Sequence, residues 1–359
     1  MAWGTPLARV SRVEADQDWR TQKEKLLGQR ISELGLAVRG SRVERLVEQL
    51  YHELDERGLG FRPPIYLSDQ WGCPDGTPLI GVPFYLADPR LERIEAEMSF
   101  GVETDEEAMR YLRHEAGHAY NYAFRLYERS KWQRIFGSFD RPYRERYRAN
   151  PFSREHVRHI LTWYAQKHPD EDFAETFAVW LTPGSDWRRE YSGWPALMKL
   201  EYVDELMRQL ARAEPEVMEP TEDDLPVEAM RYSVAEHYEG EASAVPIEDE
   251  RQFDVDLRQI FLRSSDAPAG ESADRFLERH YREIVARVAF WTSEHPSVIR
   301  SLLDVVRRRA DALNLRVGAL EASTLIELTA FATAVIMLYR QTHVIGRARG
   351  RAAVAGAAR

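Results

Sequence analysis

Apolar residues recur at helical intervals over most of the chain, and these intervals predict its main elements. Within residues 15–57, Leu26, Ile31, Leu46 and Leu50 follow helical spacing, and the glycines and prolines of RGLGFRPP end the run. The pattern therefore predicts two helices joined by a loop.

Two short apolar runs follow, PIYLS and PLIGVPFYLADP. The turn-forming stretch DQWGCPDGT separates them, which predicts a hairpin or two neighbouring strands. Pro83 lies inside the second run and cannot donate a hydrogen bond to a sheet. That strand is therefore expected at a sheet edge, where an extended peptide could pair with it.

The next helix is the one that the sequence defines best. TDEEAMRYLRHEAGHAYNYAFRLYE begins with Thr104 and Glu107, the spacing of a capping box, and continues with apolar residues at helical intervals. HPDEDFAETFAVWLTPG predicts a further helix that starts at Pro169 with three acidic residues and stops at Pro183 and Gly184. PALMKLEYVDELMRQLARA predicts another.

Between these helices lies a basic, aromatic-rich segment. Residues 125–167 hold 11 Arg and Lys against 4 Asp and Glu, and they predict an irregular insert. The insert could bind nucleic acid or an acidic partner, but an arginine face that is solvated or paired with acidic residues is the interpretation we favour. Its densest part contains Arg141, Tyr143, Arg144, Arg146, Tyr147 and Arg148.

An acidic, proline-rich stretch predicts a domain boundary. EPEVMEPTEDDLPVE has seven acids, three prolines and no basic residue, so we expect a solvated linker over residues 214–252. It would separate a domain of residues 1–213 from a helical accessory domain of residues 253–345, with a basic, disordered tail at 346–359. The uncharged stretch Leu328–Tyr339 is shorter than the roughly 20 residues of a membrane span and predicts a buried core helix.

Length, charge and cysteine content narrow the class of protein. A chain of 359 residues is long enough for about two domains. Its net charge of −10 argues against a dedicated nucleic-acid-binding protein. Cys73 is the single cysteine, so no internal disulfide can form, and the start of the chain lacks the apolar core of a secretory signal. We therefore expect a cytoplasmic protein.

The sequence HEAGH places two histidines and a glutamate within the best-defined helix. His114 and His118 stand at i and i+4, about 40° apart around the axis and roughly 6 Å along it, so both imidazoles can reach one ion. Zinc accepts imidazole nitrogen at about 2.0–2.1 Å, and a catalytic zinc takes three protein ligands. Glu115, beside this pair, is placed to act as the general base.

A carboxylate is needed to complete the site, because no third histidine follows in the pattern H-E-x-x-H-x-x-G-x-x-H. Glu171 and Glu175 share one face of the helix that starts at Pro169, and we expect Glu171 to bind zinc and Glu175 to hold a histidine. Gly117 indicates that the two helices cross closely.

Other assignments of these residues stay open. Asp170, Glu171 and Asp172 could merely complement the helix dipole. His156 and His159 could form a second metal pair, but we expect them to be exposed helix residues.

HEAGH followed by HPDEDFAETFA resembles the gluzincin branch of the zincin metallopeptidases. It is most similar to the bacterial family described as putative zinc-binding metallopeptidases, whose second motif has the form E-D-x-A-E. The spacing is also similar to that of the protease domain of anthrax lethal factor. That resemblance implies Glu171 as ligand, Glu175 as its supporting carboxylate, and Tyr164 as a residue that stabilises the oxyanion. Glutamate at 175 departs from the aspartate of the thermolysin-type pattern.

For residues 60–210 the resemblance implies an α+β, zincin-like fold. It would contain a small, mostly antiparallel sheet whose edge strand, LIGVPFYL, aligns an extended substrate. The helical domain would follow it.

The function expected from these observations is peptide-bond hydrolysis with one Zn²⁺ per chain. Glu115 would take a proton from a zinc-activated water, and zinc and Tyr164 would hold the oxyanion, with His168 as a second candidate donor. The alternative is a catalytically silent, zinc-bound scaffold whose C-terminal helices dock a partner. We expect a peptide or protein substrate and no association with a membrane. The sequence does not determine the identity of the substrate or the oligomeric state.

Overall fold

The computed structural model of the protein describes most of the chain. It covers residues 7–98, 101–143, 147, 149–211, 213–218, 226–241, 247, 249–267, 269–292, 294 and 296–342. The chain divides into two units, residues 1–242 and 243–359. The division at a linker of residues 214–252 stays a prediction, although Val234–Glu241 within that segment is helical. The predicted tail of residues 346–359 lies outside the described residues.

Helices make up most of the first unit. They are α1 Leu7–Leu27, α2 Arg42–Glu56, α3 Pro89–Met98, α4 Asp105–Ala123, α5 Ser130–Phe136, α6 Pro169–Leu181, α7 Trp187–Glu190, α8 Ala196–Leu210 and α9 Val234–Glu241. Short 3₁₀ turns lie at Ile31–Glu33, Phe84–Ala87, Leu126–Glu128, Leu161–Gln166 and Val227–Ala229. The helices predicted from apolar spacing are confirmed, because burial of an apolar face stabilises a helix more than local propensity does.

The strands of this unit correct the prediction of an antiparallel sheet. β1, Ile65–Ser68, pairs in parallel with β2, Ile80–Pro83. The turn-rich residues between the strands reverse the chain twice, so that Gly72 runs antiparallel to Gly81 on the other side of β2. A hairpin joins its strands with one reversal, whereas two reversals leave β1 and β2 pointing the same way.

The expectation that β2 lies at a free sheet edge, where it could align a substrate, is also wrong. The N–H and C=O groups of Gly81 are both bonded to Gly72, while the opposite side of the strand pairs with β1. The chain leaves the strand at Pro83, and Phe84–Ala87 form a 3₁₀ turn instead of continuing it. A peptide could add to β2 at Gly81 only by displacing the segment around Gly72.

The core of the first unit surrounds α4 and α6. Every residue of α6 is buried, so this helix is central. Tyr120 of α4 stacks on Phe177 of α6 with ring centroids 5.2 Å apart, and Phe61 packs edge-on against Tyr120. Full burial of one such apolar side chain contributes about 1.5–3 kcal/mol, so these contacts fix the two helices against each other.

The second unit is also mainly helical. It contains a 3₁₀ turn at Glu250–Phe253, then α10 Asp254–Ile260, α11 Ala273–Thr292, α12 Pro296–Ala312 and α13 Glu321–Thr342. Its antiparallel strands are short, β3 Leu262–Arg263 and β4 Leu315–Arg316. The helical character that the sequence predicted for residues 253–345 is confirmed over the described residues.

Helix α13 corrects the prediction of a buried core helix. The helical segment of residues 321–341 has the length and the apolar composition of a helix that crosses a membrane. Core helices of soluble proteins can have the same length and composition. Only 28% of the most apolar 18-residue stretch of this helix is buried. Leu328, Ala332 and Ile336 are buried, whereas Ile326 and Met337 are exposed. The helix therefore buries one face only.

Candidate metal centre

The two helices that carry the predicted site residues begin with capped first turns. Thr104 caps α4 in a complete capping box with Glu107. His168 caps α6, where its Nδ1 accepts a hydrogen bond from the N–H of Asp170 and its Nε2 N–H donates to the carbonyl of Arg141. Both ring nitrogens of His168 are thus occupied. His168 therefore starts a helix and is not placed as an oxyanion donor.

α4 and α6 cross at Gly117 and Ala174, as the mid-helix glycine predicted. The crossing brings His114 and His118 of α4 to the first turn of α6, where Glu171 lies. The close approach is possible because neither crossing residue has a side chain larger than a methyl group.

Three ligand atoms converge at this crossing. His114 Nε2 lies 3.0 Å from Glu171 Oε2, His118 Nε2 lies 3.1 Å from the same oxygen, and the two nitrogens are 3.1 Å apart. Ligand atoms around a tetrahedral zinc, each about 2.0–2.1 Å from the ion, are about 3.3 Å from one another. Two imidazoles and one carboxylate are also a ligand set of catalytic zinc. The group His114, His118 and Glu171 thus fits a zinc ion.

A carboxylate orients each imidazole from its other side. The Nδ1 N–H of His114 donates to Glu175 Oε1 at 2.9 Å, and His118 Nδ1 lies 2.9 Å from Asp170 Oδ2. Glu175 Oε2 in turn accepts the backbone N–H of Ile160 at 2.9 Å. These contacts direct both Nε2 atoms at the same point and increase the basicity of the rings.

Asp170 and Glu171 are themselves held by further side chains. Asn121 Nδ2 donates to Asp170 Oδ1 at 2.6 Å, and the hydroxyl of Tyr122 donates to Asp170 Oδ2. The hydroxyl of Tyr143 donates to Glu171 Oε1, which leaves Glu171 Oε2 facing the histidines.

Burial and neighbouring charges set the protonation states here. Burial alone would lower the pKa of His114, but its hydrogen bonds to Glu171 and Glu175 raise that pKa to about 9. Burial raises the pKa of Glu115, and the nearby His114 and His118 lower it in part. The carboxylate of Glu115 makes no hydrogen bond to any residue that the structure describes.

Tyr164 lies at the edge of this centre, on the 3₁₀ turn Leu161–Gln166. Its ring centroid is 5.6 Å from that of His114, and its hydroxyl is 3.3 Å from the hydroxyl of Tyr143. Burial, with the charge of Glu171, raises the pKa of Tyr164 far above its ordinary value. The hydroxyl therefore stays protonated and can donate a hydrogen bond.

The backbone before Tyr164 is strained. Thr162 and Trp163 have φ values of 73° and 54°, in the left-handed region that L residues rarely adopt. The hydroxyl of Tyr147 donates to the carbonyl of Thr162 at 2.8 Å. This contact helps to hold the unusual turn.

Several predicted candidates lie elsewhere. Asp172 pairs with Lys199 at 2.6 Å and with His156 at 3.8 Å, and not with His114 or His118. His156 and His159 lie in an irregular segment and not on a helix, and His159 Nε2 donates to the carbonyl of Arg110. Among the described residues the only group of three or more His, Cys, Asp or Glu side chains that could hold a metal ion is the one at His114. Arg144, Arg146 and Arg148 of the basic insert lie outside the described residues.

Asp170 and Tyr143 were missed as site residues by the sequence analysis. Asp170 directly precedes Glu171, and its position in the first turn of a helix predicts only an interaction with the helix dipole. Tyr143 belongs by sequence to the densest part of the basic insert. No interval in the sequence marks either contact, because each depends on how separate segments pack.

Comparison with protein families supports the resemblance seen in the sequence. Residues 91–184, about a quarter of the chain, match a family described as "Putative zinc-binding metallo-peptidase". The match includes α4 and α6 and all three converging ligands. No curated protein and no solved structure gives a significant match.

Proposed function

We propose that this chain, whose residues 91–184 match the zinc-binding metallopeptidase family, is a zinc-dependent peptidase of zincin-like fold and the gluzincin type. The observation that carries the proposal is the convergence of His114, His118 and Glu171 beside the carboxylate of Glu115. The substrate would be a peptide or protein, and the cytoplasm is the proposed location.

His114, His118 and Glu171 would hold the zinc ion. When bound, zinc would polarise the scissile carbonyl and lower the pKa of a water molecule to about 7. Asp170 and Glu175 keep the two imidazoles in the required tautomer and orientation, because each lies 2.9 Å from a ring Nδ1. Asp170 and Glu175 are thus positioning residues.

Glu115 would act as the general base. It stands between the two histidines in sequence, it is buried, and burial raises its pKa, which strengthens the carboxylate as a base. Because no described residue donates a hydrogen bond to it, the carboxylate is available to take a proton from water and to pass it to the leaving amine.

Tyr164 would donate a hydrogen bond to the developing oxyanion. Its hydroxyl keeps its proton because its pKa is raised by burial and by Glu171. Removal of one such donor typically costs about 2.7–4 kcal/mol of transition-state stabilisation.

Replacement of Glu115 by glutamine tests the proposal. We expect Glu115→Gln to retain one zinc per chain but to lose at least about 100-fold in kcat on a peptide library, the usual effect of a general base. Glu106→Gln is the matched control, because Glu106 is an exposed residue of the same helix. Zinc content is measured by elemental analysis.

Two results would contradict the proposal. A zinc-loaded Glu115→Gln variant that cleaves at the native rate would remove Glu115 as the base. A native protein that holds stoichiometric zinc yet cleaves neither peptides nor an unfolded protein would support the zinc-bound scaffold instead.

A further inference from the structure

The two carboxylate oxygens of Glu171 have different surroundings. Oε2 faces the metal centre, 3.0 Å from Nε2 of His114 and 3.1 Å from Nε2 of His118. Oε1 accepts a hydrogen bond from the hydroxyl of Tyr143, and no other group within the described part of the chain donates to it. Tyr143 is therefore the residue that distinguishes the two oxygens of this ligand.

The hydrogen bond between Tyr143 and Glu171 has a defined direction. A carboxylate that binds a metal ion is ionised and can only accept, so the hydroxyl of Tyr143 is the donor. Its oxygen can then accept from the hydroxyl of Tyr164, which lies 3.3 Å away. The donated protons thus run from Tyr164 through Tyr143 to Oε1 of the ligand.

Contacts on the ring hold Tyr143 in this position, although half of its side chain is exposed. The ammonium group of Lys167 lies 4.3 Å from the ring centroid, within the range of a cation–π contact. The ring of His168 packs against the same ring with centroids 5.4 Å apart. Because His168 caps α6, these contacts fix the hydroxyl against the helix turn that carries Glu171.

The number of oxygens that a carboxylate gives to a metal ion decides how much room is left for water. A carboxylate can bind through one oxygen or through both. Two imidazoles and one carboxylate oxygen leave the fourth position of a tetrahedral zinc open, as a catalytic site requires. A second oxygen would occupy space at that position. A hydrogen bond to Oε1 opposes this, because it satisfies the charge of Oε1 and holds it toward the donor.

We propose that Tyr143 is a positioning residue that makes Glu171 a one-oxygen ligand and thereby keeps a coordination position open for water. This inference rests on the proposed zinc peptidase function. It adds to that function a residue that lies outside the two helices of the metal centre. Tyr143 acts through Glu171, because its hydroxyl contacts the oxygen that faces away from the histidines.

Azide binding to the Co²⁺-loaded protein measures whether the position is open. Co²⁺ in place of zinc absorbs visible light, and its spectrum changes with its ligands, so a titration with azide gives a Kd. The proteins are the native chain, Tyr143→Phe and Tyr127→Phe. Tyr143→Phe removes only a hydroxyl from a half-exposed ring, so the core stays filled. Tyr127 is the matched control, because it belongs to the same insert but its ring stacks on Phe139 with centroids 4.2 Å apart.

Tyr143→Phe is expected to retain one Co²⁺ per chain but to bind azide at least about tenfold more weakly than the native chain, as loss of an outer partner allows. The second oxygen of Glu171 would either displace the water or crowd the position that azide takes. With zinc, the same variant should lose about 10–100-fold in kcat on a peptide library with little change in KM. Tyr127→Phe should match the native chain in each measurement.

Equal azide affinity in Tyr143→Phe and the native chain would overturn the inference and leave the peptidase function intact. Glu171 would then keep one oxygen away from the metal without Tyr143. Loss of stoichiometric Co²⁺ from Tyr143→Phe would also overturn it, since the hydroxyl would then be needed to bind the metal at all. If the native chain cleaves no peptide, the proposed function fails, but the azide comparison still decides the role of Tyr143.

Discussion

A Cβ atom placed on Gly117 would lie 2.7 Å from the Cα atom of Ala174. This is closer than side-chain atoms approach a backbone, so glycine is required at this point of the α4–α6 crossing. The crossing sets the distance between the histidines of α4 and the glutamates of α6, and the ligand geometry therefore depends on it.

Gly117→Ala is expected to destabilise the protein. Alanine favours an isolated helix by about 1 kcal/mol over glycine, but here its methyl group would meet backbone atoms that cannot move without separating the helices. We expect a net loss of about 1–3 kcal/mol in the free energy of unfolding, measured in urea by tryptophan fluorescence. In the control Gly60→Ala the new Cβ would meet only a carbonyl oxygen at 3.7 Å. A Gly117→Ala variant as stable as this control would disprove the close crossing.

Asp170→Asn should weaken zinc binding. The carboxylate lies 2.9 Å from His118 Nδ1, and loss of such an outer partner typically lowers metal affinity about 10–100-fold. Chelator competition with the metal-free protein measures the change. Asp55→Asn, which breaks an exposed pair with Arg62, should leave the affinity as it is. Equal zinc affinity in the two variants would show that Asp170 does not support His118.

Comparison of Glu171 with Asp172 identifies the third ligand. Glu171→Ala should abolish stoichiometric zinc binding, because Glu171 Oε2 lies within 3.1 Å of both Nε2 atoms. Asp172 instead pairs with buried Lys199, and removal of one partner of a buried pair costs about 3–5 kcal/mol. The matched control is therefore the double variant Asp172→Asn with Lys199→Met, which should retain zinc. Elemental analysis would refute the assignment if the double variant lost zinc and Glu171→Ala kept it.

Asp304 of α12 should make stability depend on pH. Burial raises its pKa from 3.8 to about 6, although Arg307 and Arg308 lower it in part. A raised carboxyl pKa means that the folded chain holds the proton more tightly than the unfolded chain, so stability falls as pH rises from about 4 to about 6. Above this range both states are ionised and the slope vanishes.

Asp304→Asn removes this ionisation. The difference in urea midpoint between the native chain and Asp304→Asn should therefore change between pH 4 and 6 and stay constant above. Asp311→Asn, on an exposed position of the same helix, should show no such trend. A difference that is independent of pH would mean that Asp304 does not titrate in this range.

Features that depend on neighbours along the chain could be predicted from the sequence. The helix around HEAGH, its capping box at Thr104 and the shared face of Glu171 and Glu175 follow from helical geometry, which repeats every 3.6 residues. The glycine at 117 could be interpreted for the same reason, because a mid-helix glycine is costly unless another backbone lies close.

Features that depend on contacts between distant segments could not be predicted from the sequence. Turn-forming residues between β1 and β2 indicated a reversal but not a second one, so the parallel pairing was missed. Apolar composition predicted that α13 is buried, yet composition does not determine how many faces of a helix are covered. The contacts of Tyr143 with Glu171 and of Asp170 with His118 join residues more than 25 positions apart.

The sequence alone determined the helices, the histidine pair, the adjacent glutamate and the candidate carboxylates, because these follow from spacing within single elements. Only the tertiary structure decided that Glu171 and not Asp172 faces His114 and His118, that Asp170 supports His118, and that Tyr143 holds Glu171. The physical reason is that side chains from separate segments meet only after apolar burial has fixed the segments against one another.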